Sequence, residues 1–405
     1  MSYVFFEWLE FLVRWFHVIA GIAWIGSSFY FIALDLSLRS SDKISKEAHG
    51  EAWQVHGGGF YRIIKYLVAP TKMPNELTWF KWEAYGTWIS GFLLLAIVYY
   101  LSAELYMINM AKFDISQTEA ILISIFGIVI GWIIYDQICK HTVNNNLNIL
   151  AIFILLVFTI FSWFFFQIFS FRGAFIQIGS MLGTIMVANV LMIIIPGQKK
   201  VVNSLLKGKK PDPKHGITAK QRSLHNNYLT LPVIFIMISN HYPVIYATEF
   251  SWIIISFIII VGALIRHFFN IKHTGKQPPY WIWIPIAIII LLSIFITELG
   301  KPKFLDNETK SSNILNQIPK NLISTSEEII ISKCSMCHAR EPLWENLSIP
   351  PKMVILETRE DIIKHIDGIY SQVVASYAMP PGNITFIENS ERKTLNNLYK
   401  KIKKL

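Results

Sequence analysis

Near the end of the chain, two thiols and an imidazole share one short segment, Cys334-Ser335-Met336-Cys337-His338. The C-x-x-C-H spacing is that of covalent haem attachment. Cys334 and Cys337 would hold the porphyrin through two thioethers, and His338 would ligate the iron. The sixth ligand must then reach in from the opposite face on a loop. Met379 is the expected ligand, since it lies in Ala-Met-Pro-Pro-Gly-Asn and proline and glycine fix such a loop. Met353 is its rival, while Met336 lies inside the attachment turn and cannot reach across. Ligation by His338 and Met379 raises the reduction potential, which suits an electron acceptor.

A second set of reactive residues lies in apolar sequence, where each charged or imidazole group is costly and a functional candidate by default. Arg14, His17, Gly21, Trp24 and Ser28 recur at three- and four-residue offsets and so share one helical face. That face is either a ligand-facing seam or an internal polar contact between helices. His225, Asn226 and Asn227 enter a later apolar run, and Asn240 and His241 leave it. His17 and His241 are expected at similar depth, where they could together bind a b-type haem or form part of a substrate site. Arg266, His267 and Asn270 close the next run, and Asn189 lies within an earlier one. His49 and His56, beside Gly57-Gly58-Gly59, read as solvated or structural. Cys139 reads as a small buried residue.

These residues need a membrane to hold them. The chain has 405 residues, 53% of them hydrophobic and 16% charged, against about a quarter charged in soluble proteins. Segments of about 20 apolar residues are needed to span a bilayer. Eight are expected, over 8–34, 87–107, 118–138, 147–168, 174–196, 228–247, 251–270 and 280–299. The start, MSYVFFEWLE, is acidic where a cleaved signal is basic, so the first span reads as retained. Lysine and arginine crowd the loops 35–86, 197–227 and 271–279, and the alternating loops are nearly bare. The positive-inside rule then puts both termini outside, on the side where bacteria attach c-type haem. Tryptophans near the span ends read as interfacial anchors.

The expected fold is all-α, a polytopic membrane helix bundle of about eight transmembrane helices over 1–300. A polar linker over 301–320 leads to a small class I-like cytochrome c domain over 321–405, closed by a helix over 390–404 that packs on the first tail helix. The net charge of +10 is carried by orienting loops, and no nucleic-acid-binding footprint accompanies it. Walker, dinucleotide-binding and H-E-x-x-H motifs are absent from the sequence, which argues against a nucleotide-driven pump or a zinc protease.

The stretches RWFHVIAGIAWIGSSFYF (14–31), VANVLMIIIPGQKKVV (187–202), KQRSLHNNYLTLPVIFIMISNHYP (220–243) and GALIRHFFN (262–270) resemble the bacterial membrane-bound urate hydroxylases. In that family a membrane urate oxidase domain precedes a C-terminal cytochrome c, and CSMCHA and AMPPGN look like the family's tail. The resemblance implies hydroxylation of urate by water to 5-hydroxyisourate in purine degradation. Electrons would pass through the c haem to a respiratory acceptor, such as a soluble cytochrome c or a terminal oxidase. It also implies a multi-pass protein of the bacterial inner membrane with periplasmic termini. Anionic, flat urate needs a cation and amides in low dielectric. Arg14, Arg266, Asn189, Asn226, Asn227, Asn240 and Asn270 are of those types. The oxidation needs a base, and His17, His225, His241 and His267 are the candidates. The competing readings are a non-enzymatic electron carrier between quinol and a partner oxidase, and a transporter or haem-handling protein with a sensor tail.

Overall fold

The structure, a computed structural model, describes residues 3–45, 47–66, 74, 76–108, 115–141, 147–246, 248, 250–299, 315, 317–344, 350–351 and 354–404. Apolar composition dictates long helices, because a backbone in lipid must satisfy its own hydrogen bonds. Helix α1 (Tyr3–Ser37) is followed by strands β1 (Ala48–His56) and β2 (Gly59–Tyr66). Next come α2 (Trp82–Leu94), running into a π-helical turn at Leu95–Tyr100, and the short α3 (Ala103–Tyr106). Helices α4 (Gln117–His141), α5 (Leu147–Ile168) and α6 (Phe171–Ala188) lead into a second π-helical turn at Asn189–Ile194 and then α7 (Ile195–Leu206). The bundle finishes with α8 (Pro213–Ser239), α9 (Pro243–Tyr246), α10 (Ser251–His273) and α11 (Trp283–Leu299).

Six of these segments are long and apolar enough to cross a membrane: Trp8–Ser37, Gln117–His141, Ile149–Ile168, Phe171–Leu206, Ser251–His273 and Tyr280–Leu299. The expected spans 87–107 and 228–247 also fall on helices, but the first is broken by the π-helical turn. The second is the apolar half of α8, whose other half is rich in lysine and polar residues. Outward faces of α1 and α11 are apolar, with Trp8, Phe11, Trp15, Leu291 and Phe295 exposed, as lipid contact requires. Inside, small residues bring helices together. A Cβ on Gly131 would lie 2.4 Å from Met181 Sδ, and one on Gly262 would lie 2.5 Å from Pro232 Cδ.

The expected loop 35–86 carries the one sheet among the described residues. Segment 48–66, read as loop in an all-α chain, is an antiparallel hairpin with His56 paired to Gly59. Gly57 and Gly58 turn it with φ of +59° and +80°, the left-handed region that two-residue hairpin turns need.

The bundle has two distinct ends. At one, Arg39 Nη2 donates to Thr274 O at 2.8 Å, tying the segment after α1 to the end of α10, and the hairpin and basic segments gather there. At the other, Ser170 N donates to Met107 O at 2.7 Å and Ser251 Oγ donates to Tyr246 O at 2.7 Å. The tail packs on this second end. Ala375 joins the membrane core, Tyr370 packs against it, and the Tyr246 side chain interacts with Ser376.

In the tail, a helix over Lys320–His338 packs against one over Asn389–Lys403. Ile323, Ile330, Leu395 and Leu398 are buried between them. Tyr370 stacks on Tyr399 with ring centroids 3.8 Å apart and planes 9° from parallel. Most of the expected linker, 301–314, and the rival ligand Met353 lie outside the described residues.

Candidate functional site

Three polar constellations can do chemistry: two back to back on α8, and one in the tail. The first faces α4 and α6. Arg222, His225 and Asn226 are spaced by three and four residues, so one face of α8 carries all of them. Arg222 is 1% exposed and donates to Asp136 Oδ1 at 2.7 Å and to Asn189 Oδ1 at 3.3 Å. Its guanidinium lies over the Tyr135 ring at 5.1 Å. Lys140 pairs with the other Asp136 oxygen at 2.6 Å. Asn189 Nδ2 donates to Asn226 Oδ1 at 2.9 Å and to Tyr135 Oη at 3.1 Å. His225 Nδ1 is 2.8 Å from Tyr135 Oη and 3.7 Å from Cys139 Sγ. Asn189 opens the second π-helical turn. Pro196, just beyond, has no N–H for the carbonyl four residues back, and the ladder relaxes into a wider turn.

The second constellation faces α10 and α1. Arg266 Nε donates to Asn227 Oδ1 and its Nη2 to Asn270 Oδ1, both at 3.3 Å. Asn270 Nδ2 donates to Asn227 Oδ1 at 3.1 Å. The guanidinium sits 3.9 Å from the centroid of the Phe29 ring, a cation–π distance. Arg266 and Asn227 are 6% and 0% exposed, and Asn227 Nδ2 has no hydrogen-bond partner. One position along each helix, Tyr228 Oη and His267 Nδ1 are 3.0 Å apart. Among the described residues no carboxylate pairs with Arg266, whereas Arg222 is neutralised by Asp136.

The remaining sequence candidates are dispersed. Arg14 pairs with Glu10 on an exposed face of α1. His17 Nδ1 lies 3.0 Å from Thr87 O and 3.1 Å from Ser90 Oγ on α2. Gly21 lies against Thr87, so the seam on α1 is a helix–helix contact. His241 is exposed after α8, in surroundings different from those of His17. Asn240 Oδ1 accepts from Tyr99 Oη at 3.1 Å near the tail. There Arg172 lies over the Tyr106 ring at 4.6 Å. Asp136, Tyr135 and Arg172 were not among the sequence candidates. A carboxylate inside the expected span 118–138 was itself a signal.

In the tail, His338 Nδ1 is 2.9 Å from Val354 O. A carbonyl can only accept, so the ring proton sits on Nδ1 and Nε2 is left with its lone pair, the state a metal ligand needs. Cys334 and Cys337 are free thiols. Burial pushes the Cys334 thiol up to about 12, and Cys337 is raised for the same reason. Met379 packs against the same tail core as Cys334. Arg392 holds the Met379 loop, bonding Val373 O, Met379 O and Asn383 Oδ1, with its guanidinium over the Tyr377 ring at 4.3 Å. Burial lowers the Arg392 pKa, with the Tyr377 hydroxyl opposing that shift. The two thiols, a lone-pair imidazole and a thioether on a braced loop fit a c-type haem. Among the described residues no three His, Cys, Asp or Glu side chains converge as they would on a bare ion.

Residues 3–297 match the family model described as urate oxidase N-terminal. Neither a curated protein nor a solved structure matches the chain.

Proposed function

Because the chain belongs to the urate oxidase N-terminal family, we propose that it is a membrane urate hydroxylase that sends its electrons out through its own tail. Urate and water give 5-hydroxyisourate, two protons and two electrons. The observation that supports this most is the docking of a C-x-x-C-H tail on the bundle itself, through Tyr370, Ala375 and the Tyr246–Ser376 contact. A substrate domain and an electron acceptor in one chain need no diffusional encounter between them.

Cys334 and Cys337 would hold the haem, and His338 and Met379 would ligate its iron. When bound, that group would supply a one-electron acceptor of raised potential, needed twice in succession for the two electrons. Val354 O fixes the His338 tautomer, and Arg392 steadies the loop that presents Met379. In the bundle, buried amides and guanidinium groups bind and orient a flat anion. A histidine takes up one of the two protons released on oxidation, and the second leaves to water. His225 and His267, each hydrogen-bonded to a tyrosine, are the two imidazoles placed next to those amides. The basic end of the bundle faces the cytoplasm, and the tail lies outside the bacterial inner membrane, where a respiratory acceptor collects the electrons.

The test is anaerobic. Urate is added to oxidised membranes holding the protein, and the c-haem absorption is followed. Reduction of the haem, abolished in Cys334→Ser and His338→Ala, supports the reading. A haem reduced by quinol and untouched by urate replaces it with an electron carrier.

A further inference from the structure

We propose that Arg266, Asn227 and Asn270 form the anion-binding pole of the substrate site, which takes a planar purine monoanion. The assignment rests on the urate reading and goes beyond it in choosing among the bundle's polar clusters. Three observations carry it. Arg266 is a buried cation with no carboxylate among the described residues to balance it. Its two amide contacts are both long, at 3.3 Å, so they can be exchanged for a ligand's oxygens. Asn227 keeps an orphaned Nδ2 although the residue is 0% exposed. A buried donor left unmade is costly, and a ligand acceptor repays that cost.

The rival cations are paired with a carboxylate or lack amide partners, although Arg172 Nε and Arg222 Nε are also buried without a hydrogen-bond partner. Arg222 has Asp136 at 2.7 Å, so a second anion there would meet an existing carboxylate. Arg172 is covered by the faces of Tyr99 and Tyr106 beside the tail, and no amide side chain bonds to it. Arg14 is exposed and paired with Glu10. Phe29 adds a flat apolar face beside Arg266, and the Tyr228–His267 pair stands one residue along each helix. A charged, flat, hydrogen-bond-rich ligand is the chemistry this set recognises. The charge sets the specificity, since a neutral purine offers Arg266 nothing that water does not.

Full-length haem-loaded protein, reduced beforehand with dithionite so that no acceptor is present, is tested for equilibrium binding of radiolabelled urate. Hypoxanthine, neutral at pH 7, is the comparison. Wild type is expected to bind urate at least tenfold more tightly than hypoxanthine. Arg266→Gln should lose at least tenfold for urate with hypoxanthine unchanged, Arg266→Lys should retain part of the preference, and Arg14→Gln should bind as wild type. Asn227→Asp, which places a carboxylate on Arg266, should weaken urate as Arg266→Gln does. It also serves as the test should Arg266→Gln fail to fold. A variant at either position that keeps wild-type urate affinity overturns the assignment and leaves the urate reading standing. Wild-type protein that binds no urate, and whose oxidised haem urate does not reduce, overturns both.

Discussion

Removing the Asp136 carboxylate should destabilise the bundle far more than removing its exposed partner, the Lys140 ammonium. Arg222 is 1% exposed and pairs with Asp136 at 2.7 Å. At an effective dielectric of about 20, unit charges at that distance attract by about 6 kcal/mol. Much of that offsets the desolvation of the pair. Asp136→Ala keeps the buried guanidinium and removes its counter-charge, a change that costs about 3–5 kcal/mol. Lys140 pairs with the same carboxylate at 2.6 Å, but its side chain is 55% exposed, and an exposed ion pair contributes about 0–1 kcal/mol. Thermal scans of the detergent-solubilised protein at one fixed rate should therefore show Asp136→Ala melting about 10 °C below wild type. Lys140→Met should stay within about 2 °C of wild type. The double variant Asp136→Leu with Arg222→Leu should recover most of the loss, because it leaves no unpaired charge. Equal melting temperatures for Asp136→Ala and Lys140→Met would refute the reasoning.

Three further outcomes are expected. Gly262→Ala should weaken the α8–α10 contact by about 1–3 kcal/mol, since a Cβ there meets the rigid Pro232 ring at 2.5 Å; melting temperature and urate binding should fall together. In haem-free protein Cys334 should alkylate far more slowly than a free thiol at pH 9, because burial raises its pKa to about 12. The unfolded chain loses that proton first, so haem-free tail stability should fall as pH rises from about 9 toward 12, measurable by denaturant titration at several pH values. Tyr246→Phe should loosen the tail from the bundle by about 0.5–1.5 kcal/mol. Faster proteolytic release of the tail would show it, and unchanged release would count against the contact.

Local patterns carried much of the architecture. Apolar length located the long helices, and the three-and-four spacing on α1 correctly put His17 and Gly21 on one face. What covers that face depends on α2, seventy residues away from His17, and spacing within α1 cannot report it. Arg14 is the opposite case, because its partner Glu10 lies four residues earlier on the same helix, a pairing that spacing within α1 does report. The hairpin was legible in Gly57 and Gly58 between β-prone stretches, but the surrounding lysines and arginines drew it into a loop reading. Pro196 announced a disturbed helix, and the π-helical turn at Asn189–Ile194 precedes it. Asp136 and Arg222 are 86 positions apart, and only the fold shows that one neutralises the other. That pairing separates Arg222 from Arg266, which has no carboxylate partner among the described residues.

The Arg266 cluster and the tail occupy opposite depths of the bundle. Fifteen residues of α10 separate Ser251, beside the tail end, from Arg266, about 22 Å by helical rise. In the proposed orientation each electron leaving the purine travels from the cytoplasmic half toward the periplasm, away from the negative side of an energised membrane. Over roughly three-quarters of the hydrocarbon thickness, a 100 mV potential would do about 1.7 kcal/mol of electrical work on each electron. If the proposed function and orientation hold, purine oxidation would draw on the membrane potential, and collapsing that potential with an uncoupler would remove this contribution.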